Sequence, residues 1–91
     1  MKPGTQIIYV PTHAENDKSH QDCETGFVTS IHKNGEAAFC RYWKHRNGHG
    51  GMLRTVSCSE LTPLDMLVVE NTVLQHVVEK ALNEIAKEQT E

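Results

Sequence analysis

The chain predicts a mainly β fold: a small, strongly bent antiparallel sheet or barrel followed by one C-terminal amphipathic helix. Three observations point there. Two β-patterned runs flank Asn34-Gly35 in ETGFVTSIHKNGEAAFCRYWK, and Asn-Gly supplies the positive φ angles that a tight hairpin needs. A β-branched run, TQIIYV, lies between Pro3-Gly4 and Pro11 and reads as an earlier strand. Beyond residue 62 the apolar residues fall at helical rather than alternating spacing.

The first strand is expected over residues 5–10. Residues 11–23, PTHAENDKSHQDC, are polar and aperiodic, and form a surface loop whose length is typical of functional or mobile segments. The hairpin follows, with strands at 25–32 and 36–44. Two registers fit it. A two-residue turn pairs Ile31 with Ala38 and Phe27 with Tyr42, whereas a three-residue turn with a glycine bulge places Val28 opposite Cys40. In both, alternation sets Ala38, Cys40 and Tyr42 on one side of the second strand and Phe39, Arg41 and Trp43 on the other. With bulky groups on both faces, something must cover the second. HRNGHGG (45–51) is a flexible Gly-rich turn without the strand-to-helix setting of a phosphate loop, and 52–58 reads as a fourth strand. Residues 59–61 read as a tight turn.

Thr62 is a candidate helix cap, with Pro63 at the first helical position and Asp65 three residues after the cap. Met66, Val69, Val73, Leu74, Val77, Val78, Ala81, Leu82 and Ile85 then form a broad apolar stripe, predicting a helix over 63–88, about 39 Å long. Its weak point is Glu70-Asn71-Thr72. A break there would leave 66–69 as a fifth strand. The organisation is thus a sheet or barrel over 1–62 and a helix over 63–91, the helix belonging to the same domain or serving oligomerisation.

Ninety-one residues make one domain, with charged residues at 23% and hydrophobics at 37%, a balance that folds rather than stays disordered. The net charge of −3 hides a polarity: residues 1–58 carry seven Lys/Arg against five Asp/Glu, and 59–91 carry two against seven. Uniform attraction to nucleic acid is not expected, although a local basic patch remains. Cys23, Cys40 and Cys58 form no CxxC pair and their odd number leaves a thiol free, which favours a reducing, cytoplasmic setting. No secretory leader or membrane span is expected, because the apolar run at 7–10 is far short of either.

GTQIIYVP, ETGFVTSI, AAFCRYW and SELTP together resemble SH3-like small barrels of the Tudor and KOW type, with Gly26-Phe27-Val28 and Cys40-Arg41-Tyr42 at the stations those strands use. IIYVPTHA, HQDCETGFVTSI and FCRYW also look like small uncharacterised proteins of bacteriophages and prophages. The resemblance spans residues 4–63. It implies an SH3-like barrel of four to five strands and a bacterial host cytoplasm, with no catalytic residues to carry over. Tudor-type barrels that read methylated side chains use a cage of several aromatics; with Tyr9, Phe27, Phe39, Tyr42 and Trp43 shared with the core, methyl-lysine reading is not expected.

Candidate sites are few. Arg41, Trp43, Lys44, Arg46 and Arg54 make a basic edge with interleaved aromatics, which can track phosphates and stack bases, or else be core residues plus a solvated edge. His13, His20, Asp22, Cys23 and Glu24 crowd one loop, but His13-x6-His20-x2-Cys23 matches no standard ligand spacing, so neither metal nor cofactor is expected. No cysteine has a base beside it in sequence, so the chain is not expected to be an enzyme. Leu74, Val78, Ala81 and Ile85 have near-heptad spacing and either pack on the sheet, covering Phe39 and Trp43, or join a second copy in a homodimer. The function expected is a non-enzymatic binding or adaptor module engaging a host or phage protein. The alternative is nucleic-acid binding through residues 41–54.

Overall fold

A computed structural model describes residues 1–53 and 60–89. Around the Asn-Gly turn, Gly35 takes φ +72° and the Asn34 side chain accepts a hydrogen bond from the Glu36 N–H at 2.9 Å. The His32 N–H donates to the Ala37 carbonyl at 2.9 Å, closing the hairpin of β2 (Glu24–Ile31) and β3 (Ala37–Tyr42). Both expected registers occur, on either side of a bulge. Ile31 pairs with Ala38 near the turn, but Val28 pairs with Cys40 and Phe27 with Arg41 beyond it, because Thr29 is an extra residue in β2. The Thr29 hydroxyl donates to the Phe39 carbonyl at 2.9 Å. The bulge has a packing purpose. Val28 and Ile31 are an odd number of residues apart and would face opposite sides of a regular strand. With Thr29 inserted, both pack with Ile7, Ala38, Cys40, Tyr42 and Leu67 in one cluster.

β1 (Gln6–Tyr9) pairs with β2, and a short strand β5 (Leu67–Val69) pairs with the other edge of β1. β4 (Glu60–Pro63) pairs with β3, giving the antiparallel order β4-β3-β2-β1-β5. A single 3-10 turn, Leu64–Met66, joins β4 to β5 across the whole sheet. In a flat sheet those edge strands would lie ~19 Å apart at ~4.8 Å per strand. Four Cα steps from Pro63 to Leu67 span at most ~14 Å even when fully extended, and less through a 3-10 turn. The sheet is therefore strongly curled, without pairing between β4 and β5 among the described residues.

Three sequence expectations change here. Thr62 and Pro63 do not start a helix and Glu60-Leu61 is not a turn: all four lie in β4, where the buried Thr62 hydroxyl meets the Tyr42 phenol at 2.9 Å. The long helix is divided, at the weak point the sequence marks and with the fifth strand expected of such a break. Residues 64–66 form the 3-10 turn, 67–69 are β5, and the helix proper, α1, spans Gln75–Gln89. The cause is Gln6, which is buried in β1. Its side-chain carbonyl accepts the N–H groups of Thr72 and Val73, each at 3.0 Å, and its amide donates to the Val73 carbonyl at 2.9 Å. These bonds hold 72–73 as a connector and free the β-branched Val68-Val69 for the sheet. Of the strand expected at 52–58, Met52 forms a bridge to Trp43, and 54–59 lie outside the described residues.

The second sheet face is covered by α1. Val78, Ala81 and Ile85 pack on Phe27, Trp43 and Met52, with the Phe27 and Trp43 rings 5.2 Å apart. Burial of Val78 and Ile85 contributes roughly 1.5–3 kcal/mol each. The helix reaches Trp43 but not Phe39, which is half-buried near the His32 ring.

Candidate functional site

The basic-aromatic edge is not one surface. Trp43 is 5% exposed, within the core beneath α1. Arg41 is 8% exposed; its guanidinium reaches the Leu53 carbonyl at 3.5 Å and the Glu88 carboxylate at 3.5 Å. Arg46 is exposed, but its fork is turned onto backbone, donating to the Lys18 carbonyl at 2.6 Å and the His20 carbonyl at 3.2 Å. Lys44 is exposed, and Arg54 lies outside the described residues. The four residues read as a helix–helix interface also separate. Val78, Ala81 and Ile85 are buried within the chain, because the sheet's apolar second face takes them up, whereas Leu74 is 69% exposed.

What Arg46 grips is the 11–23 loop, and this loop is built rather than slack. It opens with a 3-10 turn at Thr12–Ala14, reverses through left-handed Glu15 (φ 50°) and Asn16 (φ 64°), and is anchored by Ala14 and Cys23, both buried with Ile8 and Val10. The Asp17 carboxylate accepts from the Ser19 hydroxyl at 2.6 Å and the Ser19 N–H at 3.0 Å, bonds that hold its pKa below the ordinary value. Cys23 directs its thiol inward to the Asp17 carbonyl, at 3.3 Å. Lys18 pairs with Glu70 at 3.5 Å.

This frame brings together three of the five loop residues singled out in the sequence. His13 Nε2 lies 2.6 Å from Asp22 Oδ2, and His20 Nδ1 lies 3.9 Å from the same oxygen. One donor atom from each of the three lies within 4.8 Å of the others, and the two rings meet edge to face at 5.3 Å. Cys23 is turned away from them, and Glu24 lies outside the group. Sequence spacing hid the cluster because the left-handed pair at 15–16 folds His13 back over the later half of the loop.

A cleft of about 620 Å³ lies elsewhere, between Asn47, Gly48 and His49 of the Gly-rich turn and Asn71, Thr72, Val73, Leu74 and Val77 at the approach to α1. Gly48 is required there: it has φ +87°, and a Cβ on it would come within 2.3 Å of Val73 Cγ1. The Thr72 hydroxyl is buried without a hydrogen-bond partner among the described residues, and Val73 and Val77 are half-buried beside exposed Leu74. Cys23 and Cys40 are both buried. Burial raises the pKa of the Tyr42 phenol well above its ordinary value.

No family model, curated protein or solved structure matches the chain. No helix among the described residues is long and apolar enough to cross a membrane.

Proposed function

We propose that the chain is a non-enzymatic protein-binding module, an SH3-like barrel with a helical cover, acting in the cytoplasm of a bacterial host as a phage or prophage accessory protein. The observation that carries the binding reading is the 47–49/71–77 cleft. Leu74 stands 69% exposed beside the half-buried Val73 and Val77, with Asn47, His49 and Asn71 supplying polar groups around them. An apolar floor with a few polar groups at the rim suits an apolar side chain presented by a partner protein, the rim fixing its orientation. The nucleic-acid alternative loses most of its residues to other duties: Trp43 and Arg41 are buried, and Arg46 is occupied by backbone carbonyls. Among the described residues of that edge Lys44 alone remains, too little charge to hold a phosphate backbone against physiological salt. The setting in a phage or prophage rests on the sequence resemblance.

The test is affinity capture from bacterial lysate with the parent chain and with Leu74→Asp, after nuclease treatment and across a salt series. Expected is a protein retained at high salt by the parent and not by Leu74→Asp. Capture abolished by nuclease, or falling steeply with salt, would favour the alternative. Equal capture by the two chains would remove the cleft from the reading.

A further inference from the structure

We propose that His13, His20 and Asp22 form a binding site for a divalent transition-metal ion of the zinc type, with at least one coordination position left open. The donor set is two imidazole nitrogens and one carboxylate oxygen, a combination that suits zinc and its neighbours and is poor for calcium or magnesium, which require oxygen ligands. Zinc–nitrogen and zinc–oxygen bonds of about 2.0–2.2 Å place tetrahedral donors roughly 3.3 Å apart. The observed separations of 2.6 Å and 3.9 Å from Asp22 Oδ2 straddle that value. Relative to Asp22, His13 needs to withdraw and His20 to approach by under about 1 Å, and the two ring nitrogens, within 4.8 Å of each other, close toward the same spacing. The side chains have the freedom to do so, being 62%, 29% and 51% exposed for His13, His20 and Asp22.

One feature sets the tautomer and another favours a site over a chance pairing. The Asp22 N–H donates to His20 Nδ1 at 3.0 Å, so that nitrogen is unprotonated, and a metal would take its single lone pair in place of that N–H. The backbone carrying the three residues is also fixed by groups that contribute no donor: buried Ala14 and Cys23 anchor its two ends, and the Arg46 fork holds the carbonyls of Lys18 and His20. The backbone that carries the ligands is therefore already ordered, and binding has only the side chains left to order. The local charge agrees, with Glu15, Asp17, Asp22 and Glu24 set against Lys18 within residues 13–24. Three protein ligands leave the fourth tetrahedral position to water or to a donor from another molecule. This inference is independent of the cleft and of the partner that the cleft would take.

The experiment is isothermal titration of the full chain with zinc chloride, paralleled by cobalt(II) absorption, which reports coordination geometry. Expected is one equivalent bound, with affinity falling at least about 100-fold in each of His13→Ala, His20→Ala and Asp22→Ala. His49→Ala and His76→Ala are expected to bind as the parent does, which separates the site from scattered surface histidines. Far-ultraviolet circular dichroism checks each variant's fold. Asp22→Asn, which keeps an acceptor for His13 while removing the charge, replaces any truncation that disturbs it. The proposal is overturned if the parent takes up no stoichiometric zinc, or if folded His13 and Asp22 variants bind zinc as tightly as the parent.

Discussion

Arg46 separates a structural reading of the basic edge from a ligand-binding one, and the separation can be measured. Its guanidinium donates to two carbonyls 26 and 28 residues away in sequence, and its own carbonyl accepts from the Thr25 hydroxyl at 2.8 Å. A hydrogen bond from a charged donor is worth ~1.5–3 kcal/mol when desolvated. Arg46 is exposed, and discounting for solvent leaves roughly 0.5–1 kcal/mol for each of the two bonds. Arg46→Ala should therefore weaken the loop by about 1–2 kcal/mol, a 5–30-fold rise in local opening. Arg46→Lys keeps the charge but loses the planar fork, so it should give about half that free-energy change. Hydrogen exchange reads the effect directly. The His20 N–H donates to the Asp17 carbonyl at 3.1 Å, and the Cys23 N–H to the His20 carbonyl at 3.1 Å. Those two amides should exchange faster in both variants, while amides at the centre of β2 and β3 stay as they are. Unchanged exchange at His20 and Cys23 in Arg46→Ala would refute the clamp, as would an equal acceleration throughout the sheet.

Two further predictions address the sheet. A Cβ on Gly26 would stand 2.2 Å from the Arg41 carbonyl oxygen and 2.8 Å from Tyr42 Cα, both backbone atoms of the paired strand, whereas a Cβ on Gly35 meets nothing within 4 Å. Gly26→Ala should thus cost about 3 kcal/mol or more in urea unfolding, and Gly35→Ala only the ~1–2 kcal/mol of a left-handed residue; equal midpoints would contradict the close approach. Burial favours the neutral phenol of Tyr42, so its pKa is raised on folding and the stabilisation is complete below the unfolded value near 10. Above about pH 10 stability should fall with a slope approaching ~1.4 kcal/mol per pH unit, and Tyr42→Phe should remove that slope; denaturant titrations from pH 8 to 11 giving identical slopes for both chains would count against it.

The parts of the fold legible in sequence are those that neighbouring residues decide among themselves. At Asn34-Gly35 the glycine takes the left-handed φ and Asn34 contributes through its side chain rather than a positive φ, and alternation sorts Ala38, Cys40 and Tyr42 from Arg41 and Trp43 correctly. The hairpin register resisted a single answer because the bulge at Thr29 satisfies a packing demand, Val28 and Ile31 on one face, that no short motif encodes. Thr62-Pro63 carries a sound local helix-start signal, overruled by β3, which offers Thr62 a ladder partner in Ala38 and a buried hydroxyl in Tyr42. The break before α1 depends on Gln6, 66 and 67 residues from the N–H groups it accepts; in sequence it is simply a polar residue beginning a strand. The site follows the same logic in reverse. Arginine and tryptophan in one run look like a surface, but the apolar face of α1 claims Trp43, Glu88 pairs with Arg41, and two loop carbonyls claim Arg46. At Arg46 the positive charge that the sequence offers to a ligand is used to position backbone. One product of that use is an ordered 11–23 loop on which His13, His20 and Asp22 converge. The chemistry thus moves from the run that is conspicuous in sequence to the loop that the run holds in place.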